Sequence, residues 1–191
     1  MSLVSNAHGE GDGARRLWDM AACTRDADLA GQIRQHAIDE ARHSRAYVTL
    51  LGLIFPRQSD EDLLARLKTL SPGFTGKSPL RARRRSPYAR PATTDELVQM
   101  NLAEMRTRLQ HLFQRPLLMK YCPRDRRSRV ARILDSLLLD ETRHVAYTAR
   151  LIERAAPGMG EPALMRLMHK RLRDFNALTA AEIANTVAAA A

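Results

Sequence analysis

Long hydrophobic runs are missing from this sequence. The longest, Tyr47 to Phe55, covers nine residues, against the ~20 that a bilayer-spanning helix needs. Cysteine is scarce as well. Cys23 and Cys122 are too few for a disulfide framework or a thiolate zinc site. No signal-peptide pattern opens the chain, so the expectation is a reducing, cytoplasmic location with no membrane partner. Aromatic residues are held to 5%, with only nine Gly and nine Pro, which argues against an all-β sandwich and toward helices. What is present is 45% apolar and 27% charged residues in a chain of 191. That balance excludes a disordered or fibrous protein and suits one ordinary domain with its own core.

The net charge of +10 is concentrated. Residues 77–90 (KSPLRARRRSPYAR) hold six basic residues and no acid, and residues 120–129 (KYCPRDRRSR) hold five with one Asp. These two stretches carry the whole excess. Both contain Pro and lack helical periodicity, so they are read as surface connections. They are either solvated loops or a footprint for an acidic partner protein, a phosphate group or nucleic acid.

Apolar and site-like residues recur at helical spacing from about Asp28 to Phe55: Ile33, Ala37, Glu40, His43, Tyr47, Leu50 and Ile54. Asp26 or Asp28 can cap this helix and Pro56 stops it. Residues before about 24 form an earlier helix, joined by a short turn. A long connection over 56–92 follows, in which only Ser59–Leu70 looks helical, opening with a Ser59–Asp62 capping box. Thr93 and Glu96 form a second box that starts a helix running to about Arg115, where Pro116 ends or kinks it. A fourth helix spans about Arg126 to Ala155, carrying Ile133, Leu137, Glu141, His144 and Leu151 on one stripe. Helical pattern returns from about Glu161 to Phe175 and near the alanine-rich end. The order is two helices, a long crossover, two helices and a helical tail, which is the plan of four-helix bundles with one long crossover. It gives a single all-α domain over 1–191, with its core at about 8–55 and 93–155, the crossover at 56–92 and C-terminal helices over 160–191.

One motif occurs twice. Asp39-Glu40-Ala41-Arg42-His43 and Asp140-Glu141-Thr142-Arg143-His144 are both DExRH. A single copy arises by chance in roughly one chain of this length per thousand at average residue usage. Residues three apart on a helix share a face, so each Glu and its His point a carboxylate and an imidazole at one place. Two such pairs plus one Glu from each remaining helix make a two-metal site, the arrangement already described for ferritin-like di-iron and di-manganese proteins. Four carboxylates balance two divalent cations. Mixed carboxylate and imidazole donors suit Fe or Mn and not thiophilic metals.

The remaining carboxylates should stand level with the motifs across each helical hairpin. Before the first motif the candidates are Glu10 and Asp12, in a stretch that Gly9, Gly11 and Gly13 weaken as a helix. Before the second they are Glu104 and Glu96, the latter engaged by its capping box.

The paired motifs, helix order and Glu spacing resemble the ferritin-like di-iron carboxylate superfamily over roughly residues 8–155. The nearest likeness is to its O2-activating branch: bacterial multicomponent monooxygenases, acyl-carrier-protein desaturases, ribonucleotide reductase small subunits and arylamine N-oxygenases. The resemblance implies two Fe ions, or Fe with Mn, bridged by Glu40 and Glu141, with His43 and His144 each on one metal and Glu10 and Glu104 as terminal ligands. It also implies that Asp39 and Asp140 each hydrogen-bond the other helix's metal-binding His, with Arg42 and Arg143 tying those acids down. Tyr47, one turn after His43, matches the radical tyrosine of ribonucleotide reductase small subunits; ordinary packing is its other reading. The activity implied is O2-dependent oxidation of a small organic substrate, with electrons from a separate donor, since no four-Cys rubredoxin module is present. Metal storage or peroxide detoxification of the bacterioferritin or rubrerythrin kind, and a tRNA-modifying hydroxylase, are the alternatives; a homodimer stays open.

Elsewhere, His36, one turn before Glu40 on the same face, reads as a packed or exposed histidine ahead of a third ligand, and His8, His111 and His169 match no motif. Trp18, Leu97, Met100 and Leu112 read as packing, and Cys122 as an inert thiol.

Overall fold

The computed structural model describes residues 2–188; the last residues of the expected C-terminal extension, 189–191, lie outside the described residues. Among those described there is no strand, and the fold is all-α. The helices are α1 (Leu3–Cys23), α2 (Ala27–Ile54), α3 (Glu61–Lys68), α4 (Thr94–Tyr121), α5 (Arg127–Met159) and α6 (Glu161–Ala188), with a 3-10 turn at Arg124–Arg126. No helix among the described residues is long and apolar enough to cross a membrane.

The chain divides into two compact units, residues 1–92 with 111–140, and residues 93–110 with 141–191. In the first, α1 and α2 pack as a hairpin across a three-residue link. Ser2 caps α1 by accepting from Ser5 N–H, and Asp26 caps α2 by accepting from Leu29 N–H. The core is Leu3, Ala7, Tyr47, Val48, Leu50 and Ile54 against Leu118, Val130, Leu134 and Leu137. In the second unit the Thr93–Glu96 box opens α4: Thr93 N–H donates to Glu96 Oε2 (2.9 Å) and Glu96 N–H donates to Thr93 Oγ1 (3.3 Å). Asn101 Nδ2 then donates to Val145 O and Thr148 Oγ1, both at 2.9 Å, joining α4 to α5. Arg171 on α6 forms a two-pronged ion pair with Asp95 on α4.

Five sequence expectations shift. The helix does not fray at its three glycines: α1 runs from Leu3 because Gly11 lets the backbone of Leu70 lie directly against it, where a Cβ would overlap the Leu70 carbonyl. The cap of α3 is Asp60, not Ser59, whose hydroxyl is turned back to donate to Phe55 O at 2.6 Å. Pro116 does not end α4. Burial of Leu118 and Cys122 in the core holds the next turn in place, and the carbonyl of Leu112, which loses its helical donor, belongs to a residue on the exposed side. That same exposure (41%) removes Leu112 from the packing stripe. The basic stretch 120–129 is not a loop but the end of α4, the 3-10 turn and the start of α5, and α5 itself continues through Pro157.

Candidate metal centre

The hairpin of α1 and α2 sets the first cluster. Ser44 Oγ donates to Ala7 O at 2.7 Å, which fixes the register of one helix against the other. Two residues in that register matter: Gly13 faces Glu40, where an added Cβ would lie 3.7 Å from Oε2, and Glu10 comes level with His43. Glu10, Glu40 and His43 each bring one donor atom within 4.8 Å of the others. His43 is fully buried, with Nδ1 3.5 Å from Glu40 Oε1 and 3.9 Å from Glu10 Oε2. Its other nitrogen, Nε2, lies 3.2 Å from Asp140 Oδ2. The carboxylate engages Nε2 and so leaves Nδ1 facing the acids. Arg42 in turn pairs with Asp140 and donates to Ser136 Oγ at 3.2 Å, and its NH2 lies 3.8 Å from Asp39. Asp39 also accepts from Gln35 Nε2 at 3.2 Å.

In the second unit the relation recurs. His144 is buried, with Nδ1 3.4 Å from Glu104 Oε2 on α4 and 3.8 Å from Glu141 Oε2 one turn before it. Glu141 is fully buried. In both units, then, an imidazole Nδ1 faces the motif Glu three residues earlier and one Glu of the preceding helix. Glu96 stays in its capping box, and Asp12 turns outward to Arg15 (3.2 Å) and His8 (3.5 Å). Of each pair of candidate acids, the structure brings Glu10 and Glu104 to the histidines and leaves Asp12 and Glu96 elsewhere. Arg143 is exposed.

The electrostatics suit a cation. Burial of Glu40 opposes its ionisation, yet hydrogen bonds from Glu10, His36 and His43, with the His43 charge, hold its carboxyl well below the usual range. A charged acid at this depth needs a positive partner, which the His43 charge supplies here and a bound cation would supply in its place. The donors are hard oxygens and an imidazole, and the nearest thiol is not among them, which fits Fe or Mn better than a thiophilic metal.

Two further histidines lie at the buried polar residues. His36 is buried, as its packed reading has it, and its Nε2 lies 3.3 Å from Glu40 Oε1. The signal was there, since His36, Glu40 and His43 fall at i, i+4 and i+7 on one face. His111, 4% exposed, hydrogen-bonds the buried hydroxyl of Tyr47 through Nε2; a pairing across 64 positions leaves no local trace. Tyr147 meets the ring of His144 edge-on, with centroids 6.4 Å apart. Trp18 is buried and stacks on Phe74 at 4.1 Å. Cys122 is buried and burial pushes its thiol up, as for an inert cysteine.

Comparison with known proteins finds no matching family model, no matching curated protein and no matching solved structure.

Proposed function

We propose that this chain is a di-iron, or iron–manganese, carboxylate oxidoreductase that activates O2 to oxidise a small organic substrate. The finer fold that goes with this reading is a ferritin-like bundle of α1, α2, α4 and α5 with one long crossover. The observation that carries it is the repeated relation of His43 to Glu40 and Glu10 and of His144 to Glu141 and Glu104. A buried histidine beside one acid is common in helical cores. The same five-residue motif, placing the same nitrogen of each imidazole toward two acids in each unit, is a ligand pattern.

On this reading His43, Glu40 and Glu10 would hold one metal and His144, Glu141 and Glu104 the other. When bound, the pair of metals supplies two-electron chemistry toward O2. The chain's own residues do the rest. Asp140 holds His43 with Nδ1 inward. Arg42 pairs with Asp140 and keeps it pointed at the imidazole. Burial of Glu40, Glu141 and both histidines excludes water, so that protons reach the carboxylates only through hydrogen-bonded neighbours such as His36. Electrons come from a separate donor protein.

Metal analysis by mass spectrometry after anaerobic loading with Fe2+ tests the reading. Two metals per chain are expected, with His43→Ala or Glu141→Ala abolishing two-metal loading. Either variant still holding two overturns the ligand assignment. Two metals in the wild type with no O2 consumption in the presence of a reductant overturns the oxidase reading and leaves the metal site standing.

A further inference from the structure

The arginine-rich segment 77–90 is not used by the metal reading, and part of it is organised. Asp19 on α1 is fully buried. It accepts from the Arg83 backbone N–H at 2.8 Å and from Arg83 Nε at 2.9 Å, with Arg83 NH2 2.7 Å away. Ser86 adds a further hydrogen bond. Around this anchor the chain turns tightly: Ser86 N–H donates to Arg83 O at 3.2 Å and Ala89 N–H to Ser86 O at 3.1 Å. Arg85 is held at φ 62°, in the left-handed region that an arginine rarely adopts. A flexible solvated loop would relax that residue. Here the buried aspartate fixes the turn so that consecutive arginines are presented together.

The turn and the outer face of α1 line an open pocket of about 370 Å³, at the small end of the ~300–1,000 Å³ typical of small-molecule sites. Five arginines line it (Arg15, Arg16, Arg83, Arg84, Arg85), with Asp12 as the acid among them. Asp19 engages Arg83, and Asp12 engages Arg15 at 3.2 Å. The excess positive charge therefore belongs to Arg16, Arg84 and Arg85. Converging guanidinium groups recognise phosphate oxygens through paired N–H donors.

We propose that this pocket binds a small phosphate-bearing anion. A strand of nucleic acid is the less suitable occupant. Single strands are gripped by aromatic platforms along a basic track. The lining holds one aromatic ring among the described residues, Tyr88, with the Arg16 guanidinium over it at 4.9 Å from the centroid. The proposal is independent of the metal reading, since Asp12, Arg15 and Arg16 lie on the outer side of α1, away from Glu10.

Calorimetric titration of the full chain at physiological salt, where loose surface pairing is screened, tests it with inorganic phosphate, ADP and adenosine as probes. Saturable one-to-one binding of ADP is expected, with inorganic phosphate competing and adenosine silent. The double variant Arg84→Ala/Arg85→Gly should weaken ADP by tenfold or more. Glycine relieves the left-handed φ at 85, so the variant keeps its fold, and an unchanged melting temperature without ligand checks this. Asp19→Asn, which keeps every arginine but loosens the turn, should weaken ADP as well. No saturation at about 1 mM ADP, a range in which even weak complexes form, overturns the proposal. So does an unaltered affinity in the double variant. Mixed-sequence single-stranded RNA binding more than tenfold tighter than ADP through the same arginines overturns it in favour of a nucleic-acid surface.

Discussion

Asp140 and His43 are hydrogen-bonded at 3.2 Å between Oδ2 and Nε2, although 97 positions separate them in the chain. The acid belongs to the second DExRH motif and the imidazole to the first. The imidazole of the first copy therefore depends on the acid of the second. Asp140→Asn keeps the shape and removes the charge that engages Nε2. Metal affinity at the His43 cluster should fall by about 10–100-fold, read by Mn2+ titration, with the stoichiometry kept. An affinity equal to wild type would leave Asp140 a merely structural acid.

Tyr47→Phe removes the hydroxyl that hydrogen-bonds His111 while keeping the ring in the core. Leaving a buried imidazole without this partner should cost about 1–3 kcal/mol in urea unfolding. A loss near zero would mean that the pair adds nothing to the folded state, so that its retention would have to be explained by chemistry at Tyr47.

The glycines of α1 separate two effects at neighbouring positions. At Gly9 an added Cβ meets nothing within 4 Å, so Gly9→Ala should stabilise by roughly 0.5–1 kcal/mol through helix propensity alone. At Gly11 the Cβ meets the carbonyl of Leu70, which is backbone and cannot swing away. Gly11→Ala should destabilise by about 1–3 kcal/mol in spite of the same propensity gain. Thermal melts of the two variants should therefore move in opposite directions, by about 2–4 °C per kcal/mol for a chain of this size; shifts of one sign would contradict the contact.

These positions also show what the sequence could and could not convey. The two motifs, the helix starts at Asp26 and Thr93 and the apolar stripe of α2 are local patterns, with periods short enough to read directly. The neighbours of Gly11, the role of Asp60 over Ser59 and the passage of α4 through Pro116 were not legible in this way. The first and last depend on what packs there from elsewhere in the chain, since a glycine signals only that room is needed, whereas Ser59 is turned aside by the Phe55 carbonyl four residues before it. A proline likewise removes one hydrogen bond whatever tertiary burial then decides. His36 is legible in its spacing, at i, i+4 and i+7 with Glu40 and His43 on one face. His111 was not legible at all.

Asp19 contributes a pH dependence with a definite sign. Burial raises its carboxyl, but the hydrogen bonds from Arg83 and Ser86 outweigh this and hold it below the usual aspartate value. A depressed folded pKa gives stability that is fully present above the unfolded value of about 3.9 and is lost as pH falls through the folded value. Asp19→Asn should cost about 1.5–3 kcal/mol at neutral pH, as for a hydrogen bond to a charged group. The gap between variant and wild type should close below about pH 4, measured by unfolding at several pH values. A gap independent of pH would show that the ionised form is not what holds the turn.

The link between α1 and α2 spans three residues, and Glu10, Glu40 and His43 all come from the helices it joins. This first cluster is therefore drawn from one uninterrupted segment with short loop closure, the kind of contact that forms early in folding. During synthesis these donors leave the ribosome together, well before Glu141 and His144 have been translated. A nascent chain at that stage already displays two carboxylates and an imidazole in sequence neighbourhood, while Asp140, which orients the imidazole, has yet to be made. The order of translation thus places ligand assembly ahead of ligand alignment.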